Sequence, residues 1–215
     1  MDNKTVIEAL EKLRKNTKKL KFSQTIDLII SLKHFNTKKG EKIDDYVQIK
    51  HPFKKLKFCA LVGKELAENA KKNCETTITK DEFENWAKTP REIKKLVRKH
   101  DYFFAQANLM PDIARTFGKY LGTKGKMPNP KLGQIIPPNG ELAPAIARLK
   151  TTIVLKTKNQ PNIHTSIGTE KMKNEDIAEN AITIIEKIMQ DLPNGKQQLK
   201  HIYIKKTMPK TIKLE

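Results

Sequence analysis

The spacing of apolar residues changes twice along this chain, and that double change limits the fold more than any single motif does. Residues 2–20 keep a helical spacing, with Val6, Leu10, Leu13, Thr17 and Leu20 on one face and lysines opposite. Thr25–Leu32 then alternates, with Ile26, Leu28, Ile30 and Leu32 on one side, as in a half-buried strand. A second short strand is expected at Tyr46–Ile49, after the turn-rich Asn36–Asp45, and His51-Pro52 marks a break. The middle reads differently. Leu56–Val62 is a continuous apolar strand, followed by Gly63 and a helix over Lys64–Asn73. A strand at Thr76–Thr79, helices at Asp81–Ala87 and Pro90–His100, and a strand at Tyr102–Gln106 continue the pattern. A helix then starts at Pro111, with Gly122 expected as its left-handed C-cap, and a last helix covers Leu142–Leu149.

From Thr151 alternation returns. Thr152–Lys158 and Ile163–Ile167 read as two strands joined at Asn159-Gln160-Pro161. Asn174 is expected to cap a helix with an acidic first turn (Glu175, Asp176) and an apolar stripe of Ile177, Ala181, Ile184 and Ile188. Pro193-Asn194-Gly195 ends it, and strands follow at His201–Lys206 and Thr211–Leu214. Both chain ends therefore read as α+β with antiparallel strands, while the middle reads as α/β. Neither end alone has enough apolar surface for a core. The expected fold is α+β with an inserted α/β domain. A split β-α-β sandwich is built from residues 1–55 and 151–215, and residues 56–150 form a small parallel three-layer sheet. Two crossings, near 52–56 and 149–151, would then form a hinge.

Charge narrows the partner. The 215 residues hold 43 Lys+Arg against 24 Asp+Glu, a formal charge of +19. Such an excess repels itself unless a polyanion matches it, and nucleic acid is the usual match. The basic residues are spread along the chain, which favours a folded RNA-binding surface over a basic tail. No apolar stretch approaches the roughly 18 residues of a membrane span, so a cytoplasmic protein without a membrane partner is expected. Cys59 and Cys74 are the only cysteines, too few for a disulfide framework, and Cys59 sits in an apolar run as a small buried thiol. The five histidines lie far apart, without metal-ligand spacing. A phosphate-binding loop around Gly125-Lys126 would need glycine at 120 and a hydroxyl at 127, where Tyr120 and Met127 stand. No dinucleotide fingerprint and no nucleophile elbow is present. Enzymatic activity, cofactor and metal are not expected.

One loop carries the strongest signature. Gly122-Thr123-Lys124-Gly125-Lys126-Met127-Pro128-Asn129-Pro130-Lys131 closely resembles the signature loop of the ribosomal stalk protein family, the first protein of the large ribosomal subunit. The short N-terminus and overall length resemble the archaeal form. Two domains, one built from both chain ends, are what the resemblance implies. It also implies large-subunit ribosomal RNA at the mobile stalk as partner, assistance to deacylated tRNA leaving the exit site, and repression of translation through the protein's own messenger RNA. The free protein would be monomeric. An RNA-binding ribosome-biogenesis factor of the same fold is the alternative.

Site residues follow partly from chemistry and partly from that resemblance. Lys21-Phe22-Ser23-Gln24-Thr25 offers a cation, an aromatic face and short polar side chains, which suit phosphate attraction, stacking and 2′-hydroxyl bonding. Phe22 read alone serves equally to pack a helix on the sheet, whereas the family's Lys-Phe-x-x-Thr element makes it an RNA contact. Lys205-Lys206-Thr207-Met208 is a second candidate; read alone it suits an ordinary strand end with exposed lysines, and it resembles a Thr-Met-Gly element in which Pro209 replaces the glycine and lacks an N–H. His164, Thr165 and Gly168 resemble the family's Ile-His-x-x-x-Gly turn, with Gly168 expected to let RNA approach the backbone. Read alone, His164 suits a structural role. Lys124, Lys126 and Lys131 of the signature loop are expected to make secondary RNA contacts, while its glycines and prolines hold the loop's shape.

Overall fold

The computed structural model describes residues 3–15, 20–35, 43–157, 160–193, 195–208 and 211–214. The chain divides into two compact units, Met1–Phe53 with Thr151–Glu215, and Lys54–Lys150.

In the terminal unit, helix α1 spans Asn3–Lys15 and strand β1 Thr25–Leu32, followed by β2 at Asp44–Gln48. The second chain segment supplies β7 (Thr152–Lys156), β8 (Asn162–Thr169), helix α7 (Asn174–Asp191), β9 (Leu199–Lys206) and β10 (Ile212–Lys213). The main sheet has the order β10-β9-β1-β8 and is antiparallel throughout. The strict alternation of β1 puts Ile26, Leu28, Ile30 and Leu32 inward, against Val6, Leu10 and Leu13 of α1 and Ile177, Ala181, Ile184 and Ile188 of α7. β9 adds Ile202 and Ile204 to the same core. β1 thus joins strands from the other end of the chain, and the first segment's core is completed by the second. Buried Asn180 of α7 secures the chain at His51: its Nδ2 donates to His51 O at 2.9 Å and to Ile167 O at 3.1 Å, and its Oδ1 accepts from His51 N at 3.1 Å.

The inserted unit carries β3 (Phe58–Val62), α2 (Lys64–Asn73), β4 (Thr76–Thr79), α3 (Phe83–Lys88), α4 (Pro90–Lys99), β5 (Tyr102–Gln106), α5 (Met110–Thr123), β6 (Ile135–Ile136) and α6 (Leu142–Thr151). Its sheet is parallel, in the order β4-β3-β5-β6. All five residues of β3 are buried, as a parallel strand covered on both faces must be. Cys59 and Leu61 face one core with Phe103 and Ala105, beneath α3, α4 and α5. Phe58, Ala60 and Val62 face the other with Phe104, beneath α2 and α6. Burial pushes the Cys74 thiol up to about 11 and the Cys59 thiol higher still, which favours the neutral thiol in both.

Several expectations change. α1 spans Asn3–Lys15; Thr17 lies outside the described residues, and Leu20 is out of the helix and 43% exposed, not on the buried face. β7 does not pair along the following strand but runs antiparallel to β2, from Asp44↔Lys156 to Gln48↔Thr152. A single bridge, Thr157↔Ile163, joins that ribbon to β8. Asn174 is the first residue inside α7, and the capping position is Lys173, in extended backbone without a side-chain cap bond. Gly122 lies within α5; the left-handed residue is Gly125, at φ 65°. Ile135–Ile136 is too short a strand to show a period. No helix among the described residues is long and apolar enough to cross a membrane, and among them no cluster of three His, Cys, Asp or Glu could hold a metal ion.

Candidate nucleic-acid interface

Large apolar side chains exposed to solvent are scarce among the described residues: Leu20 at 43%, Phe22 at 51% and Met208 at 71%. All three belong to one place, where the segment entering β1 meets the segment leaving β9. The junction is built by hydrogen bonds between residues far apart in sequence. The hydroxyls of Thr25 and Thr207 lie 3.1 Å apart across a separation of 182 residues, and Thr207 Oγ1 donates to Thr25 O at 3.4 Å. Gln24 is 1% exposed, and its Oε1 accepts the Met208 N–H at 3.3 Å. Its carbonyl accepts the Glu170 N–H at 2.9 Å, which adds the turn after β8. Three segments thereby present one surface.

A buried ion pair underlies it. Alternation along β9 sends Lys206 inward after Ile202 and Ile204, leaving the ammonium 1% exposed. Its Nζ lies 2.9 Å from Glu170 Oε1, whose side chain keeps 29% of its surface. The hydrogen bond from Lys206 holds the Glu170 carboxyl below the usual carboxylate range. The cation is therefore hidden and the anion half shown. Beside it opens a cleft of about 530 Å³ lined by Leu20, Lys21, Phe22, Ser23, Glu170 and Lys171.

Of the residues singled out in the sequence, Lys21, Phe22, Ser23, Thr207 and Met208 are exposed at this junction, with Thr25 half-buried beneath them. Lys205 lies on the outer sheet face, opposite Asp27. His164 is exposed on that face opposite Ile29. The remaining two turn inward. Thr165 is buried opposite Leu28. A Cβ on Gly168 would stand 2.8 Å from Ile177 Cγ1, so this glycine admits α7 to the sheet on its core side. Pro209 lies outside the described residues. Lys206, named with the second candidate at the strand end, is buried: the alternation of β9 places it inside, where a cation demands an anion, while Glu170 and Lys171 were not singled out.

The signature loop has a different character. Lys126 Nζ donates to Val97 O at 2.9 Å and His100 O at 2.6 Å, satisfying carbonyls at the C-terminus of α4. Its ammonium is thus committed to the protein, not presented to phosphate. Met127 packs against the core beneath α3–α5, and Pro128 is buried. Asn129 Oδ1 accepts from Lys131 N at 3.0 Å, and Gln134 Oε1 accepts from Asn129 N at 2.7 Å. Gln134 O then accepts from Ala105 N, seating the loop on the sheet. Lys124 and Lys131 remain exposed.

Another place to look for a ligand is the crevice at the carboxyl ends of β3 and β5, where the strand order reverses. Gln106 fills it. Its Oε1 accepts the Gly63 N–H at 2.6 Å, and a Cβ on Gly63 would stand 2.9 Å from the same oxygen.

Comparison with known proteins shows the family. Residues 13–210 match the model of the Ribosomal protein L1p/L10e family. The large ribosomal subunit protein uL1 of Thermococcus kodakarensis is 36% identical over 217 residues, covering 100% of this chain and 98% of that protein. The uL1 of Nanoarchaeum equitans is 37% identical over 212 residues, covering 97% and 98%. The uL1 of Methanothermococcus thermolithotrophicus is 34% identical over 217 residues and covers both chains in full.

Proposed function

Since this chain belongs to the Ribosomal protein L1p/L10e family, we propose that it binds large-subunit ribosomal RNA at the stalk through the junction of Lys21–Thr25 with Thr207–Met208. It is a structural, non-enzymatic component of the large ribosomal subunit, similar over its whole length to archaeal uL1 proteins. The observation that carries the site is the gathering of Leu20, Phe22 and Met208 at one polar, basic junction. Isolated exposed apolar residues need no explanation, but three together beside lysines and threonines fit the stacking and sugar contacts that RNA offers.

In this reading Phe22 and Met208 lie against bases or sugars, Thr25 and Thr207 address 2′-hydroxyls, and Lys21 and Lys205 neutralise phosphate. His164 extends the surface along the outer sheet face. Lys124 and Lys131 give the inserted unit secondary phosphate contacts. The division into residues 1–55 with 151–215, and 56–150, is a division of labour, with RNA recognition in the terminal part. Stalk binding in turn places the protein to assist deacylated tRNA leaving the exit site. A messenger RNA copying the ribosomal site would be bound by the same face and repressed.

The test is binding to a stalk-base RNA fragment against a scrambled RNA of equal length, across a salt series. Preference for the stalk fragment at every salt concentration, with both affinities falling as salt rises, is the expected result. Equal affinity for the two RNAs would reduce the +19 charge to a general attraction for polyanions and remove the proposal.

A further inference from the structure

A carboxylate on a face meant for a polyanion is an anomaly, and Glu170 is one. It lines the cleft beside Phe22, between Lys21 and Lys171. It cannot be dismissed as a stray surface charge, because a wholly buried ammonium is spent on holding it in place. Its backbone is fixed as well, through the bond from its N–H to Gln24 O. Lys206 and the Gln24 backbone N–H take part of its capacity, and the Arg14 charge acts on it too, whereas a carboxylate offers about four acceptor sites across its two oxygens. What remains is an oriented, acceptor-only group at the edge of an aromatic-walled cleft.

We propose that this cleft takes one unstacked guanine base, with Phe22 against its face and the Glu170 carboxylate accepting from its Watson–Crick edge. The inference rests on the RNA-binding reading above and adds a base-specific contact to it. Only a group with hydrogen-bond donors offsets the repulsion between Glu170 and phosphates. Guanine presents two side by side, N1–H and the N2 amine, matching the two oxygens of a carboxylate. Adenine and cytosine offer one exocyclic amine, and uracil one imino N–H. Lys21 and Lys171 flank the cleft, where the phosphates on either side of the base would run. The cleft, at about 530 Å³, lies in the size range of small-ligand sites, roughly 300–1,000 Å³. Single-stranded RNA is read in this way, by stacking and edge contacts.

A double-mutant cycle with the full-length protein tests it. Each unpaired guanosine of the stalk-base RNA fragment is replaced singly by inosine, which lacks only the N2 amine. At one position the replacement is expected to cost the wild type about tenfold in affinity, the value of a hydrogen bond to a charged group. Glu170→Gln keeps an acceptor for Lys206 but presents a donor to the base, so it should bind the unmodified RNA more weakly and ignore the inosine. Glu170→Asp keeps the charge with a shorter reach and should lose the same preference. If the inosine penalty is the same in all three proteins at every position, the guanine contact is overturned while RNA binding stands. If the wild type does not distinguish the stalk fragment from scrambled RNA, both readings fall together.

Discussion

Two basic regions of this protein look alike in sequence and are opposites in structure. At the terminal junction the apolar groups Leu20, Phe22 and Met208 face solvent and the most constrained lysine, Lys206, is turned inside to hold an anion. In the signature loop the apolar groups Met127 and Pro128 turn inward, and Lys126 is consumed by the carbonyls of α4. The first region leaves its apolar surface to solvent, and the second uses its own to hold itself. A long, compositionally odd motif identifies a family well, but its oddity can arise from the demands of folding alone. Exposed apolar surface beside short polar groups is the better sign of a binding face.

The largest effect that would break this contrast is on RNA affinity. Phe22→Ala, Thr207→Ala and Met208→Ala combined should weaken binding to stalk-base RNA on the order of 100-fold, given about 1–3 kcal/mol per stacked base. The melting temperature should hardly move, because these side chains stabilise little of the core. A folded triple mutant with unchanged affinity would refute the site. Lys126→Met should do the reverse. It should cost about 2 kcal/mol of stability, seen as a lower denaturation midpoint, for the loss of two charge-assisted bonds to α4. Its RNA affinity should stay within a factor of about two, since the ammonium is engaged by the protein's own carbonyls and neutralises no phosphate. A large affinity loss with unaltered stability would return Lys126 to the RNA.

Gly168→Ala sharpens the comparison within the terminal unit. Crowding Ile177 should cost roughly 1 kcal/mol or more, while the folded protein binds RNA as before. Loss of affinity at unchanged stability would instead place RNA against that backbone.

The smallest effect separates the units by pH. Buried His100 donates from Nδ1 to Leu96 O at 3.0 Å, and its Nε2 accepts from the Thr76 hydroxyl at 3.0 Å. Burial lowers its pKa from 6.5, so the unfolded chain takes up the proton first. That contribution is whole above about pH 6.5 and is lost as pH falls toward the depressed folded value. Glu170, also lowered, contributes above its ordinary carboxylate range near 4.5 and loses that contribution only below it. Mild acid should therefore weaken the inserted unit before the terminal one. Hydrogen exchange followed from pH 7 to pH 5 would show this in α4 first, and His100→Gln should flatten the trend. Equal sensitivity in both units would count against the assignment.

Much of this was legible in the sequence where a local period sets the answer. The ends of α2, β4 and β5 fall where the apolar runs and Gly63 place them, because both faces of β3 and β5 had to be covered. The alternation in Thr25–Leu32 fixed the inner face of β1 in the same way. Legibility failed where a residue's role depends on something distant. Gly168 reads as a turn glycine until α7 is laid across it. Lys126 reads as a phosphate contact until the carbonyls of Val97 and His100 are seen beneath it. Lys206 was placed on the inside by its neighbours, yet its anion lies 36 residues earlier and outside any strand or helix.

The bond between Thr25 and Thr207 also has a consequence for how the protein is made. The inserted unit is one continuous stretch, Lys54–Lys150, and can fold while the rest of the chain is still being synthesised. The junction proposed to face RNA cannot form then, because Thr25 waits for a partner 182 residues later. β1 likewise stays without either neighbour until β8 and β9 have been made. If the junction is the RNA site, as proposed, recognition is thus the last property the chain acquires. A nascent protein carries its positive charge past the RNA around it well before it has a surface able to choose among those RNAs.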